Sequence, residues 1–401
     1  MRTRAIALIS SLFIAAGISL SAQSGANHVT GQDEAGYESL SSKVLKLEKK
    51  SDAFNFYLNF AAAAGLSDSE GKWQGSMYSK HLRMEILGDL TPRIYYRFRH
   101  HLDMAALKAS LDNFALATDM MYVGYRASGK LDAIVGKMPT AVGGFEFDEM
   151  PVYIYRFSDF TGRQDCFQVA AQLSYRPVPD HEFTFQIAST ANRRFADQWG
   201  SPSYVATTSL DDRAELQKAA FPFMYSAAWS GNLFGGMLQT RWSLSYQNHL
   251  KDNGGYILAL GQKLNLDRLS WYVDLYGEWD GADRLGMIST DFFSSGEKVY
   301  AGETSNVSLV TKLNYRFAPK WNLMAKVSFE KAGLRKIEEL RGYRTSSVYV
   351  SAIEYYPDRT QDLRFFLAYL GRHCSYNEAS GIPNVTTNTM ELGLIYRIKA
   401  Y

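Results

Sequence analysis

The chain has little of what marks a metalloenzyme or a small disulfide-stapled domain. It carries 2 cysteines and 10 prolines in 401 residues. Cys166 and Cys374 lie far apart, in no CxxC or Cys/His metal spacing. One disulfide or two free thiols remain open, and no metal or cofactor is expected. No Gly-rich phosphate loop and no HExxH occurs. The pairs His100-His101 and His181-Glu182 stand in strand-like segments, where neighbours point to opposite faces and cannot serve one reacting atom. His249 singles out no serine for a Ser–His dyad. These absences argue against catalysis. A charge of one sign is also missing: Lys and Arg total 43, Asp and Glu 41. That balance argues against a protein dominated by nucleic-acid binding. Beyond residue 22 no run of 18 apolar residues exists, so no membrane-spanning helix is encoded.

The first residues carry an export signal. Arg2 and Arg4 precede an apolar run, Ala5 to Leu20, and Ala22 is the expected last residue removed. Loss of residues 1–22 removes two arginines and leaves 41 basic and 41 acidic residues. No cysteine follows the run to carry a lipid anchor. Residues 23–52 form a polar segment. Within it Leu40, Val44 and Leu47 recur at helical spacing, which suits a short amphipathic helix over Glu38–Lys50 or a disordered tail.

From residue 53 to 401 aromatics abound: 26 Tyr, 23 Phe and 7 Trp in the whole chain. The apolar pattern here has period two. In Trp321–Glu330, Trp321, Leu323, Ala325, Val327 and Phe329 share one face; Asn322, Lys326, Ser328 and Glu330 share the other. Trp271–Trp279 and Phe183–Ile187 repeat it. Tight Pro/Gly/Asn/Asp junctions stand at 88–92, 127–130, 176–180, 230–232, 265–268, 317–320 and 356–359. Long polar junctions at about 102–117, 139–164, 192–218 and 280–302 fall between them. Short turns alternating with long loops are what a transmembrane barrel shows, and a soluble sandwich has no reason to keep that asymmetry. Seven turns, a first strand near Phe54–Leu66 and a last near Thr386–Tyr401 predict an all-β, closed antiparallel barrel of about 16 strands, with periplasmic turns and extracellular loops. Tyr125-Arg126, Tyr175-Arg176, Tyr315-Arg316, Tyr355-Tyr356 and Tyr396-Arg397 precede turns, and suit a periplasmic aromatic girdle.

Arg93, Arg97 and Arg99 alternate with Ile94, Tyr96 and Phe98. An arginine at the lipid midplane costs about 2–4 kcal/mol, so these arginines are expected to line the lumen, with Arg83 across the preceding turn. Such a row favours anions. Facing acids such as Asp274, Glu278, Glu330 and Glu354 are candidates to neutralise it.

The terminal residues Glu391, Gly393, Tyr396 and Ile398 resemble the last-strand signal of outer-membrane proteins, which their assembly machinery reads; Tyr401 ends the chain on an aromatic. Val135-Gly136-Lys137-Met138-Pro139, Gly143-Gly144-Phe145-Glu146 and Pro151-Val152-Tyr153-Ile154-Tyr155-Arg156 resemble the third-loop region of the phosphate-selective porin O/P family, particularly its Bacteroidetes-type branch. Phe54-Asn55-Phe56-Tyr57-Leu58 is similar to that branch as well. The resemblance implies a sixteen-stranded barrel in the outer membrane of a Gram-negative bacterium, in contact with its lipid and often trimeric. It implies passive diffusion of small hydrophilic solutes, anions such as phosphate among them, past an inward-folded loop 139–164. Lys137, Glu146, Asp148, Glu149, Arg156 and Asp159 are then the constriction candidates. Their acids outnumber their bases, so cation selectivity stays open beside anion selectivity. A plugged structural or adhesive barrel, binding partners through long loops, is the alternative to a pore.

Overall fold

A computed structural model describes residues 53–69, 71–104, 114–190, 194–294, 296–358 and 361–400. The expected signal peptide, the helix over Glu38–Lys50 and Tyr401 lie outside them. Eighteen strands follow in order: β1 (Asn55–Ser69), β2 (Lys72–Asp89), β3 (Ile94–His101), β4 (Thr118–Ser128), β5 (Leu131–Pro139), β6 (Phe167–Val178), β7 (His181–Ser189), β8 (Tyr204–Ala206), β9 (Ala214–Glu215), β10 (Phe223–Leu233), β11 (Leu238–Leu250), β12 (Asn253–Asn265), β13 (Leu269–Ala282), β14 (Val299–Ala318), β15 (Trp321–Leu334), β16 (Arg344–Tyr355), β17 (Asp362–Tyr376) and β18 (Val385–Lys399). All but β8 and β9 pair antiparallel with their neighbours, β7 joining β10 directly. β18 returns to β1, from Tyr57 opposite Lys399 to Ser69 opposite Thr387. The result is a closed barrel of 16 strands, with no free edge around most of its wall. The short strands β8 and β9 sit outside it; β8 pairs parallel with the first residues of β14, and β9 pairs antiparallel with β8.

Burial is inverted relative to a soluble fold. On β15, Val327 and Phe329 are 48% and 52% exposed, while Lys326 and Ser328 are 3% and 0% exposed. Apolar side chains point out and polar ones in, which is stable only where the outside is hydrocarbon. Tyr125, Tyr175 and Tyr315 point outward near the turns. The arginines after them point inward: Arg126 reaches Asp89 at 2.9 Å, and Arg176 reaches Asp132 at 2.8 Å. The alternation of a strand thus places each Tyr-Arg pair on two faces at one height.

Six of the seven predicted tight turns fall between strands. The exception is Ser230-Gly231-Asn232, which continues β10; the chain turns instead at Phe234–Met237, through positive φ at Phe234, Gly235 and Gly236. Gly231 serves close packing, since a Cβ there would lie 2.7 Å from the Thr240 hydroxyl. Loop length on the opposite rim is less uniform than expected. β1 and β2 join across residues 70–71, and β11 and β12 across Lys251-Asp252. The remaining loops there gather a second apolar core, including Met287, Ile288, Leu334, Leu340 and Tyr343. Cys166 and Cys374 are both free thiols.

Candidate functional site: the loop-lined lumen

The segment between β5 and β6 folds into the barrel. Gly143 and Gly144 adopt φ +79° and +83°, which L side chains rarely take. A Cβ on Gly144 would stand 2.1 Å from the Tyr276 hydroxyl, so glycine lets the loop press against β13. Two short helices follow, α1 (Phe145–Asp148) and α2 (Asp159–Arg163); the Ser158 hydroxyl caps α2 by accepting from the Thr161 amide at 3.2 Å.

Wall side chains hold this loop along its length. Gln186 on β7 accepts from the Ala141 amide at 2.9 Å. Asp274 on β13 accepts from the Phe145 and Glu146 amides at 2.9 and 2.7 Å. Glu330 on β15 accepts from the Asp159 and Phe160 amides at 2.6 and 2.9 Å. Glu354 on β16 accepts from the Tyr155 hydroxyl at 2.7 Å, and Asp362 on β17 from Tyr153. Beneath these bonds lies apolar packing. Phe145, Phe147 and Phe160 meet Ile257, Ala259, Tyr272, Tyr276 and Val310. Met150, Val152 and Tyr155 meet the inner faces of β15–β18 and β1. A lumen wall needs no Val348, Val350 or Leu370 facing water; these residues are inward and apolar because the loop covers them.

The loop acids are all neutralised. Glu146, fully buried, pairs with Lys326 and accepts from the Ser158 amide and hydroxyl at 2.8 and 2.5 Å and from the Thr161 hydroxyl at 2.7 Å. Asp148 pairs with Arg241 at 3.4 Å, and Glu149 with Lys312. Asp159 takes Arg344 at 2.8 Å and Arg372 at 2.6 Å. Arg156 differs. Its carbonyl accepts from Lys326 at 2.6 Å, but among the described residues its half-buried guanidinium has no hydrogen bond or ion pair. Lys137 stands on β5 and not on the inward-folded loop. It lies between Met121 and Val169, its side chain is buried at 2% exposure, and its ammonium is 5.7 Å from the Phe114 ring centroid.

The arginine row divides. Arg97 and Arg99 face inward on β3 and Arg83 inward on β2, all buried. Arg93 precedes β3, exposed in the turn, and lines nothing. The partners of the row are not the distant acids considered from sequence. Arg97 pairs with Glu85 at 2.6 Å; Arg99 and Arg83 share Asp119 at 3.0 and 3.6 Å. One carboxylate cannot satisfy two guanidiniums, and Nη1 of Arg83 with Nη1 and Nη2 of Arg99 are left without acceptors. Asp274, Glu330 and Glu354 instead hold the loop, and Glu278 takes Arg284 at 2.9 Å.

The sequence reading placed Lys326 on the wet face of its strand without a partner, and did not single out Glu85, Asp119, Lys312, Arg344 or Arg372. Each was findable as a charge on the polar face of an alternating strand, but not its height in the barrel. On the last strand Glu391 points inward and accepts from the Tyr78 hydroxyl at 2.6 Å. Gly393 also faces in, where a Cβ would lie 2.3 Å from the Ala62 carbonyl. Tyr396 and Ile398 face out, opposite Phe60 and Leu58.

Three structures of known proteins share this architecture. The outer membrane channel DcaP of Acinetobacter baumannii matches with a TM-score of 0.59 at 10% identity, covering 88% of this chain and 99% of that one. The anion-selective porin of Comamonas acidovorans matches at 0.53 and 9%, covering 86% and 99%. OmpT of Vibrio cholerae in its trimer form matches at 0.53 and 11%, covering 87% and 100%. No curated protein sequence matches. The family model for phosphate-selective porin O and P matches residues 54–398. With the closed barrel, the outward apolar band and the inward loop, this places the chain in the outer membrane, and it belongs to the phosphate-selective porin O and P family.

Proposed function

We propose that this porin works without catalysis, as a homotrimer, and that its lumen passes small hydrophilic solutes with a preference for anions such as phosphate. The observation that carries the preference is the Arg83–Arg99 pair: two buried guanidiniums share Asp119 and keep three N–H-bearing nitrogens without acceptors. Guanidinium suits the oxygens of phosphate and carboxylate. The loop acids that would favour cations are each committed to a wall cation, while Arg156 is not. The trimeric form of the Vibrio OmpT neighbour supports the oligomer. The third-loop stretches and Phe54–Leu58 support the Bacteroidetes-type branch.

The test is the reversal potential across a planar bilayer in a KCl gradient. The expected result is anion selectivity that weakens in Arg99→Gln. Cation selectivity, or a potential unchanged in Arg83→Gln/Arg99→Gln, would sink the reading. One observation favours the plugged alternative: the loop packs on the inner faces of β12–β18 and β1 as an apolar core. Conductance decides between the two, since a plugged barrel gives no unitary steps.

A further inference from the structure

The inward face of β11 runs through Ser243, Ser245, Gln247 and His249, each buried, while Trp242, Leu244 and Tyr246 between them are exposed. His249 is the last of this row, at the long-loop rim. Neither of its ring nitrogens has a hydrogen-bond partner among the described residues. What encloses it is the chain between β7 and β10. Trp199 lies flat on the imidazole, with ring centroids 5.7 Å apart and planes at 4°. Val205, Leu216, Leu250 and Ala282 complete an apolar cluster around Trp199. An imidazole without a partner in such a place tolerates its neutral form far better than its charged one.

The charged groups on the elements around the ring give an imidazolium no support. Arg284, beyond the end of β13, is the charge that bears on the ring, and it is positive. Its own acid is Glu278, at 2.9 Å. Asp280 accepts from Gln247 at 2.8 Å, and Asp283 from the Ile288 and Ser289 amides at 2.8 and 2.6 Å. Asp197, Arg213, Glu215 and Lys218 on the covering chain are exposed, as are Lys251 and Asp252 after β11 and Lys298 before β14.

The covering chain is lightly tied. Phe195–Leu216 meets β14 through the short parallel pairing of β8 and through the Tyr300 hydroxyl, which donates to the Trp199 carbonyl at 2.9 Å. Among the described residues no wall carboxylate grips it, whereas Asp274, Glu330 and Glu354 grip the β5–β6 loop.

We propose that Phe195–Leu216 is a lid over the β11–β14 side of the long-loop mouth, seated on His249 and released when that imidazole takes up a proton. Free imidazole is protonated near pH 6.5. Under Trp199 the ring has no water, no acid and a guanidinium nearby; with the lid lifted it returns to solvent. The seated form is therefore unaffected above about pH 6.5 and loses to the lifted form below it, by up to tenfold per pH unit. The Asp212 carboxylate, which supports a turn within the lid, is lost only below about pH 4, so pH 5 isolates His249.

The experiment measures thiol labelling in native outer membranes at pH 7.5 and pH 5.0. Ser203→Cys reports from beneath the lid, where Ser203 is 1% exposed; Ser209→Cys, exposed on the same segment, corrects for the reagent's own pH dependence. The native chain supplies the background from Cys166 and Cys374. The expected result is that the Ser203→Cys rate, relative to Ser209→Cys, rises at least threefold at pH 5.0. With His249→Phe, which keeps a flat ring and cannot take a proton, the ratio should not rise. A smaller rise with His249 present, or an equal rise with His249→Phe, would overturn the proposal. Val205→Cys, 3% exposed in the same cluster, gives the same reading should Ser203→Cys lack the heat-dependent gel shift of a folded barrel. The readout is labelling rather than current, so it stands apart from whether the lumen conducts.

Discussion

Replacing Lys326 by methionine leaves the Glu146 carboxylate buried without its cation. Both side chains are almost wholly enclosed, and Glu146 also accepts from Ser158 and Thr161. Two opposite charges in contact are worth about 4 kcal/mol at an effective dielectric of about 20. Removing one partner of such a pair costs about 3–5 kcal/mol, because the survivor stays desolvated. Lys326 donates also to the Arg156 carbonyl, so the loop loses two anchors at once. Lys326→Met should therefore lower unfolding stability by about 3–5 kcal/mol. Glu146→Gln/Lys326→Met, with no charge left, should recover part of that loss and give a coupling energy of about 2–3 kcal/mol. The assay is urea unfolding in lipid vesicles, followed by the gel shift between folded and heated forms, on a complete double-mutant cycle. Single-channel recordings of Lys326→Met should show noisier, larger openings as the loop loosens. A single variant within about 1 kcal/mol of the parent, with coupling below about 0.5 kcal/mol, would refute the view that this pair anchors the loop.

Other outcomes follow from the same contacts. Asp159→Asn removes the negative charge shared by Arg344 and Arg372, so the anion-to-cation permeability ratio from reversal potentials should rise roughly twofold. Gly144→Ala combines an unfavourable φ of +83° with a Cβ driven into Tyr276, and should cost about 2–4 kcal/mol in the same urea assay. Outside the membrane, the Thr208 hydroxyl and then the Thr208 and Ser209 amides hold the Asp212 carboxyl below its usual value. These bonds support the turn while pH stays above the ordinary carboxylate value of about 4, and are lost as pH falls through the lower folded value. Asp212→Asn should speed hydrogen exchange at the Thr208 and Ser209 amides at neutral pH, read by mass spectrometry.

The barrel was legible because lipid and water impose opposite demands on neighbouring residues. Trp321 to Glu330 reads as a strand with two faces in any context, and the closed sheet puts each of those faces where its polarity requires. Turn chemistry was nearly as clear, with one instructive exception. Gly231 looks like a turn signal, yet the β10–β11 register has it opposite Thr240, where the missing side chain matters and the φ freedom does not. Arg93 misled for a related reason: parity with Arg97 and Arg99 assigns a face only to a residue that is already in the strand, and β3 begins one residue later.

The site was less legible, because charge in a lumen is a matter of pairing across long separations. Glu146 and Lys326 are 180 positions apart, and Asp159 and Arg372 213. Sequence parity says that each faces inward, but only the shear of the closed sheet says which inward charges share a height. Counting the loop acids therefore points toward cations, whereas pairing them removes the excess, since Glu146, Asp148, Glu149 and Asp159 each meet a wall cation. The wall acids expected to quench the arginine row are consumed in the same way, by the amides and hydroxyls of the loop. What this pairing leaves over is two kinds of donor: the buried, unpartnered nitrogens of Arg83 and Arg99 beside Asp119, and the half-buried guanidinium of Arg156. A residue's contribution to selectivity then depends less on its own charge than on whether the loop has already claimed its partner. Substituting Asp119, which pairs with two arginines, should accordingly change ion preference more than substituting Glu149, which pairs with the single cation Lys312.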